Sequence, residues 1–256
     1  MSTKFFTNQD TNTLLNKFKG IFEHNTDIEN FDALVGYFRA SGYFKVRPFL
    51  DNVPHIRILV GIDVDKILAK YQSKGLLFQG DANQTLIEFL SEVKSDIQDA
   101  DYNQEIEEGI LQFIEDIATR KIEIKAHPSK KLHAKIYIFK PKGWNEHKSG
   151  YVITGSSNLT ENGLGGTDNF NYEFNVQLKD YDDVKFASDE FERLWIEGIS
   201  ILPIEINKVK KETFLNDDFT PFEVYIKFLI EYFGKSVEFD PNSVTDLPEG
   251  FKRLSY

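Results

Sequence analysis

Two neighbouring segments decide the fold: Leu132-His-Ala-Lys-Ile-Tyr-Ile-Phe139 and Tyr151-Val-Ile-Thr-Gly-Ser-Ser-Asn158. The first has the two-residue period of a β-strand, and so has the start of the second. The stretch 140–149 between them contains proline and glycine, which predicts a loop and therefore a β-hairpin. Because successive strand residues point to opposite faces, His133 and Lys135 should share one face.

Strand and helix patterns alternate on both sides of this hairpin. Strands are predicted at Asp32–Phe38, His55–Gly61, Ile122–Ala126 and Asn171–Leu178, and helices at Tyr43–Leu50, Val64–Lys74, Gln84–Ile97, Ile106–Ile117 and Val184–Trp195. Such alternation predicts an α/β fold whose central sheet is flanked by helices. The antiparallel hairpin in the middle makes that sheet mixed.

The chain divides into two parts of different character. We expect residues 1–200 to form the α/β domain. Residues 201–256 are expected to hold an amphipathic helix over Thr220–Gly234, followed by a linker without hydrophobic periodicity. The helix is marked by threonine at its N-cap, proline at its first position and glycine after its end.

Composition excludes several classes of protein. The 256 residues are 41% hydrophobic and 28% charged, carry a net charge of −11 and include no cysteine, which rules out disulfides and thiolate chemistry. No apolar stretch approaches the roughly 20 residues that span a bilayer, and the N-terminus lacks a secretory pattern. We therefore expect a cytoplasmic protein without a membrane partner. A basic run over Arg120–Lys148 suggests either contacts with nucleic-acid phosphates or a solvated face.

Five polar residues of the hairpin region and the strand after it could converge on one spot: His133, Lys135, Ser156, Asn158 and Glu173. This set suits cleavage of a phosphodiester without a metal. A neutral imidazole can attack phosphorus and form a phosphohistidine, while Lys135 and Asn158 hold the non-bridging oxygens. Glu173 would hydrogen-bond His133 and orient it. No cofactor is expected, and the chain has no Gly-x-x-x-x-Gly-Lys-Ser/Thr motif for ATP.

His-x-Lys followed by Gly-Ser-x-Asn resembles the HKD motif of the phospholipase D superfamily. The resemblance covers Leu132–Leu178, with looser support from Leu34–Phe38. It implies an α/β sandwich around a mixed sheet, and it implies that His133 is the nucleophile. One position departs from the motif, because Lys140 stands where the family usually carries an aspartate.

Members of the superfamily use two copies of the motif, and this chain has one. None of the other four histidines among its five is followed by lysine two positions on. The resemblance therefore implies a homodimer in which each chain contributes one half of the site. It also implies a nuclease, with DNA favoured over RNA as the substrate, since single-motif dimers of the family are mostly nucleases.

The end of the chain, around Thr220–Tyr225 and Leu247–Tyr256, resembles the junction between a phospholipase-D-like domain and a bacterial superfamily 2 helicase. We expect a helicase core to follow in the full-length protein. One alternative stays open at this stage. Such a protein could keep the domain as a catalytically silent module that dimerises and binds nucleic acid, with His133 and Lys135 only binding phosphate.

Overall fold

A computed structural model describes residues 3–9, 11–61, 104–128, 132–165 and 172–201, together with helical positions at 86, 87, 90, 91, 93, 94 and 229. The helix predicted at Gln84–Ile97 is confirmed at its six described positions. The helix predicted at Val64–Lys74 lies outside the described residues. The same holds for the C-terminal helix and linker apart from position 229, so the boundary at residue 200 stays a prediction.

Eight strands form one mixed sheet in the order β1-β7-β6-β5-β2-β3-β4-β8. The strands are β1 (Phe5–Thr7), β2 (Ile28–Val35), β3 (His55–Gly61), β4 (Glu123–His127), β5 (Ile136–Pro141), β6 (Tyr151–Gly155), β7 (Phe174–Leu178) and β8 (Ile199–Ser200). β2, β3 and β4 run parallel, and every other neighbouring pair is antiparallel. The predicted hairpin is the β5–β6 pair.

Helices cover both faces of the sheet. Those with continuous described ranges are α1 (Leu14–His24), α2 (Ala40–Val46), α3 (Gln104–Ala118), α4 (Glu161–Leu164) and α5 (Tyr181–Glu197), and a 3₁₀ turn over Arg47–Phe49 follows α2. Thr13 caps α1 and Thr160 caps α4 through their side-chain oxygens. Asp182 and Asp183 lie in the first turn of α5, where negative charge offsets the helix dipole.

The hydrophobic core has two layers, one on each face of the sheet. On one face α1, α2 and α3 pack through residues such as Phe18, Tyr43 and Phe113. On the other face α5 packs Phe191 and Trp195 against the sheet. Both layers are built from strand residues that alternate between the faces. The expected fold class, a mixed sheet flanked by helices in an α/β sandwich, is confirmed.

Several strand boundaries differ from those predicted. β5 begins at Ile136 and β7 at Phe174, so the segments carrying His133 and Glu173 precede their strands. β2 covers Ile28–Val35 and ends before the predicted limit. Alternation nevertheless continues through residues 132–135, since Leu132 and Ala134 pack on the α5 layer with Ile138. These residues are extended without being part of a ladder because they cross the ends of other strands.

Four described lysines of the basic run contact other groups of the same chain. Lys121 donates to the carbonyl oxygens of Asp51 and Val53, Lys125 donates to that of Trp195, Lys140 pairs with Asp32 and Lys148 pairs with Asp27. Lys140 and Lys148 also lie at the end of the β5–β6 hairpin remote from His133. These four lysines therefore take part in contacts within the fold. Of the two readings of the basic run, phosphate contacts and a solvated face, both stay predictions.

Candidate active site

The candidate site lies where the parallel strands β2 and β3 end. Two glycines face the segment that enters β5. They are Gly36, the first residue after β2, and Gly61, the last residue of β3. A Cβ atom on Gly61 would lie 2.4 Å from the Leu132 carbonyl oxygen, and one on Gly36 would lie 3.2 Å from the His133 Cα atom. Glycine at these two positions therefore lets the backbone carrying His133 cross directly over the strand ends.

His133 and Lys135 contact each other at this crossing. The Lys135 ammonium lies 3.2 Å from His133 Nδ1 and donates to the His133 carbonyl oxygen at 2.7 Å. An ammonium can only donate, so Nδ1 accepts and the neutral ring carries its proton on Nε2. Burial lowers the pKa of Lys135, and the nearby Glu173 carboxylate opposes that shift. His133 itself is exposed and accessible to a substrate.

Asn158 is held at the same end of the sheet by the segment that follows β2. Its side-chain oxygen accepts the backbone N–H of Tyr37 at 3.0 Å. The amide nitrogen of Asn158 bonds no acceptor among the described residues, so it remains a donor for a bound anion. Asn158 and Glu173 both line a cavity of about 400 Å³. Lys135 thus lies next to Gly36, and Asn158 is bonded to the following residue, Tyr37.

A buried polar network fixes the turn that carries Asn158. The Asn175 side chain donates to Ser157 Oγ at 2.9 Å and accepts the Ser157 backbone N–H at 3.3 Å. The hydroxyl of Tyr137 donates to the Ser157 carbonyl oxygen at 2.9 Å. Ser157 and Asn175 are almost completely buried, where unpaired polar groups are costly. The turn after β6 is therefore rigidly placed relative to β5 and β7.

The two other predicted site residues have different surroundings. Glu173 lines the cavity, and its backbone N–H donates to the Asn8 side chain at 3.0 Å. Within the described chain, Lys135 rather than Glu173 contacts His133 Nδ1. The hydroxyl of Ser156 accepts the backbone N–H of Phe174 at 3.0 Å, so this side chain ties β6 to β7.

Comparison with known protein families assigns the chain. Residues 41–195, more than half of the sequence, match the family model described as "Cardiolipin synthase, PLD-like domain". The chain belongs to this PLD-like family. The match includes both halves of the His-x-Lys and Gly-Ser-x-Asn pattern, so the resemblance to the phospholipase D superfamily is confirmed. No curated protein matches the sequence.

Several solved structures are similar at low identity. Nuc from Salmonella typhimurium, described as a phospholipase D family member, is 12% identical with a TM-score of 0.44, over 78% of this chain and 98% of that one. NucT from Helicobacter pylori is 13% identical with a TM-score of 0.36, over 73% and 91%. Phosphatidylserine synthase from Haemophilus influenzae Rd KW20 is 14% identical with a TM-score of 0.46, over 89% and 46%.

The departure of this PLD-like chain from the HKD motif has a structural explanation. Lys140 forms an ion pair with the buried Asp32 of β2, with Nζ 3.4 Å from Oδ2. Arg57 of β3 bonds the other oxygen of Asp32 at 2.6 Å and also bonds Glu192 of α5. Burial opposes the charge of Arg57, but its two carboxylate partners raise its pKa. Where the motif usually has an aspartate, β5 therefore carries the cationic Lys140, and the carboxylate beside it is Asp32 of β2.

Sequence reasoning overlooked several positioning residues of this PLD-like site. The motif residues are held by Ser157, Asn175 and Tyr37. In the sequence, these residues could have been noticed as polar positions, or positions next to glycine, within apolar strands. No sequence pattern pointed to Asn8, because the residue that it contacts, Glu173, is remote in sequence. Within the described ranges, no three histidine or carboxylate side chains cluster as a metal site would require, and no helix is both long and apolar enough to cross a membrane.

Proposed function

We propose that this PLD-like domain is a metal-independent phosphodiesterase that cleaves nucleic acid, DNA in preference to RNA. The observation that carries the proposal is the contact between the Lys135 ammonium and His133 Nδ1 at 3.2 Å, beside a half-buried pocket that also holds Asn158. A nucleophile and two donors for phosphate oxygens then lie at one end of the sheet. That arrangement serves phosphoryl transfer by positioning and charge stabilisation.

In the first step His133 Nε2 attacks phosphorus. The Nε2–P bond forms and the bond from phosphorus to the leaving oxygen breaks, while a second imidazole gives its proton to that oxygen. Lys135 and Asn158 donate to the non-bridging oxygens, whose charge is redistributed in the transition state. In the second step water attacks phosphorus and the Nε2–P bond breaks. The second imidazole takes the proton of the water.

The ring proton of His133 must move before this attack. Nε2 needs a free lone pair, whereas the contact with Lys135 leaves the proton on Nε2. A phosphate oxygen would draw the Lys135 ammonium away and let Nδ1 carry the proton. Glu173, whose carboxylate acts electrostatically on Lys135, is the residue we assign as acceptor for that Nδ1–H. Substrate binding then selects the nucleophilic tautomer.

The second imidazole comes from a second copy of the chain. Only His133 has the motif, so a two-fold axis near His133 would place two equivalent imidazoles on one phosphate. One would act as the nucleophile in its neutral form and the other as the general acid in its protonated form. Ser156, which joins β6 to β7 through Phe174, then serves the site by holding the motif turn.

The first test is a nuclease assay on single- and double-stranded DNA in excess EDTA. We expect cleavage by the wild type and a loss of at least about 100-fold in His133→Ala, since the nucleophile is removed. His147→Ala is the matched control, because His147 is exposed at the other end of the hairpin, and it should keep full activity. Binding without cleavage by the wild type would instead support the catalytically silent module.

Subunit mixing tests the dimer. Wild-type chains are co-refolded with a fourfold excess of His133→Ala, so that few wild-type chains pair with one another. If both histidines act in one site, activity should fall well below the share of wild-type chains. Activity in strict proportion to that share, together with a monomeric sedimentation profile, would contradict the shared site.

Two further expectations remain predictions. A helicase core in the full-length protein was expected from residues 220–256, which lie outside the described residues apart from position 229. A cytoplasmic location is likewise expected from the sequence alone. Sequencing the gene beyond codon 256 and fractionating cells address these two points.

A further inference from the structure

The cavity next to Asn158 offers more than a phosphate site. Its volume is about 400 Å³, within the span of roughly 300–1,000 Å³ in which proteins hold small ligands. Tyr37 and Arg39 line it on the side of the segment that follows β2, and Glu161 lines it on the side of α4. No step of the proposed chemistry uses these three side chains.

Tyr37 and Arg39 pack against each other in the cavity wall, and both are exposed. The Arg39 guanidinium lies 5.4 Å from the centre of the Tyr37 ring, and Arg39 Nε donates to the Tyr37 hydroxyl at 3.1 Å. Tyr37 remains 36% exposed although it lines the cavity. An exposed tyrosine combined with arginine is the pairing on which unpaired nucleobases stack.

Tyr37 is next in sequence to Gly36, which lies against the segment that carries His133 and Lys135. Gly36 touches the His133 backbone and lies close to Lys135, since a Cβ there would be 3.5 Å from Nζ. The next residue, Tyr37, donates its N–H to Asn158. A phosphate held by Lys135 and Asn158 would therefore have its neighbouring nucleoside beside the Tyr37 ring.

The wall of the cavity offers hydrogen-bond acceptors to a base. Glu161 and Glu173 both line it. Cations lie near both carboxylates, since Lys45 pairs with Glu161 at 3.6 Å and Glu173 acts on Lys135, and Arg39 also lines the cavity. Carboxylates accept hydrogen bonds from the N–H groups of bases, so the polar wall suits a nucleobase edge.

We propose that this cavity binds an unpaired nucleobase next to the scissile phosphate, with Tyr37 and Arg39 as its stacking surface, and that the substrate is single-stranded nucleic acid. The inference rests on the proposed function for the position of the phosphate. A base within a duplex is stacked and paired, so it would have to leave the helix to enter the cavity. A single strand presents its bases without that cost.

The test compares the affinity of two single strands of equal length and charge, oligothymidylate and an abasic deoxyribose-phosphate strand. It is measured by fluorescence anisotropy with every variant, and the reference protein, in the His133→Ala background, so that neither strand is cleaved. Tyr37→Ala should raise the Kd for oligothymidylate about 5- to 150-fold, the range for loss of one stacked base. Its Kd for the abasic strand should not change. Tyr37→Phe keeps the ring and should bind both strands nearly as the wild type does.

Phe186→Ala is the matched control, because Phe186 is an aromatic residue of α5 that is 71% exposed and lies outside the cavity lining. It should change neither Kd. An equal loss on both strands in Tyr37→Ala would overturn the proposal by showing that Tyr37 acts on phosphate or through Asn158. An unchanged Kd on both strands would overturn it as well. Because binding is measured without turnover, absence of cleavage in EDTA would reject the proposed function alone.

Discussion

Lys135 and Lys140 lie in one segment five positions apart, yet their surroundings differ. Lys135 contacts the histidine of the motif at the accessible end of the sheet, and burial lowers its pKa. Lys140 is paired with a buried carboxylate, Asp32, and lies over the ring of Trp144. The first ammonium can be redirected to a substrate, while the second is committed to the fold. The comparison separates a motif lysine whose charge is left for a ligand from one whose charge is paired inside the fold.

Opposite faces of β5 and its entry segment separate the two lysines. Residues at odd positions from 133 to 137 face the α1 layer or the site, and Lys140 points with Ile138 toward α5. On that α5 face Asp32, Arg57 and Glu192 complete a chain of charges. A chain of this kind is sensitive to the loss of any member, because the remaining charge is left buried without its partner.

The largest expected effect separates the two lysines by activity. Lys135→Ala should lower kcat for cleavage of single-stranded DNA in EDTA about 100- to 1,000-fold, since a donor to the transition-state oxygens is lost. Lys140→Ala should retain the wild-type kcat per folded molecule and lose stability instead. Equal losses of kcat in both variants, measured on protein whose fold is verified by circular dichroism, would contradict the division between them.

The next effect concerns stability. Asp32→Asn should lower the free energy of unfolding by about 3 kcal/mol, because Arg57 and Lys140 would then face each other without the carboxylate between them. Asp189→Asn is the matched control, since its ion pair with Lys185 is exposed on α5 and such pairs contribute at most about 1 kcal/mol. Urea unfolding measures both. A cost for Asp32→Asn no larger than that for Asp189→Asn would remove the structural role of the network.

The sequence predicted the elements around the candidate site better than their limits and their contacts. The β5–β6 hairpin, β3 and α5 were found because hydrophobic periods reflect which face of an element is buried. His133, Lys135 and Asn158 were predicted as site residues through the motif, and they lie at one end of the sheet, while their roles stay predictions. The strand limits were missed because Leu132 crosses over Gly36 and Gly61, and such a contact between remote segments leaves no local pattern. The partner of Lys140 was missed for the same reason, since Asp32 lies on another strand.

The smallest expected effect is on pH dependence. Lys135 must be protonated to stabilise the phosphate oxygens, and burial lowers its pKa below the usual value near 10.5. Activity should therefore decline on the alkaline side at a lower pH than an exposed lysine would give. Lys135→Arg should move that decline to higher pH, because a guanidinium stays charged. The pH profile of kcat/KM for the two proteins measures the shift.

The pH dependence of the free energy of unfolding should also reflect the lowered pKa of Lys135. Between the folded and the unfolded pKa of Lys135 the unfolded chain binds more protons, so stability contributed by this group rises with pH across that window. Lys135→Met should remove this rise, whereas Lys185→Met should not, because the pKa of Lys185 is raised by its bond to Asp189. Should Lys135→Met leave the stability profile unaltered, the ammonium would be as solvated as any surface lysine. The surroundings of Lys135 would then not set its ammonium apart from that of Lys140.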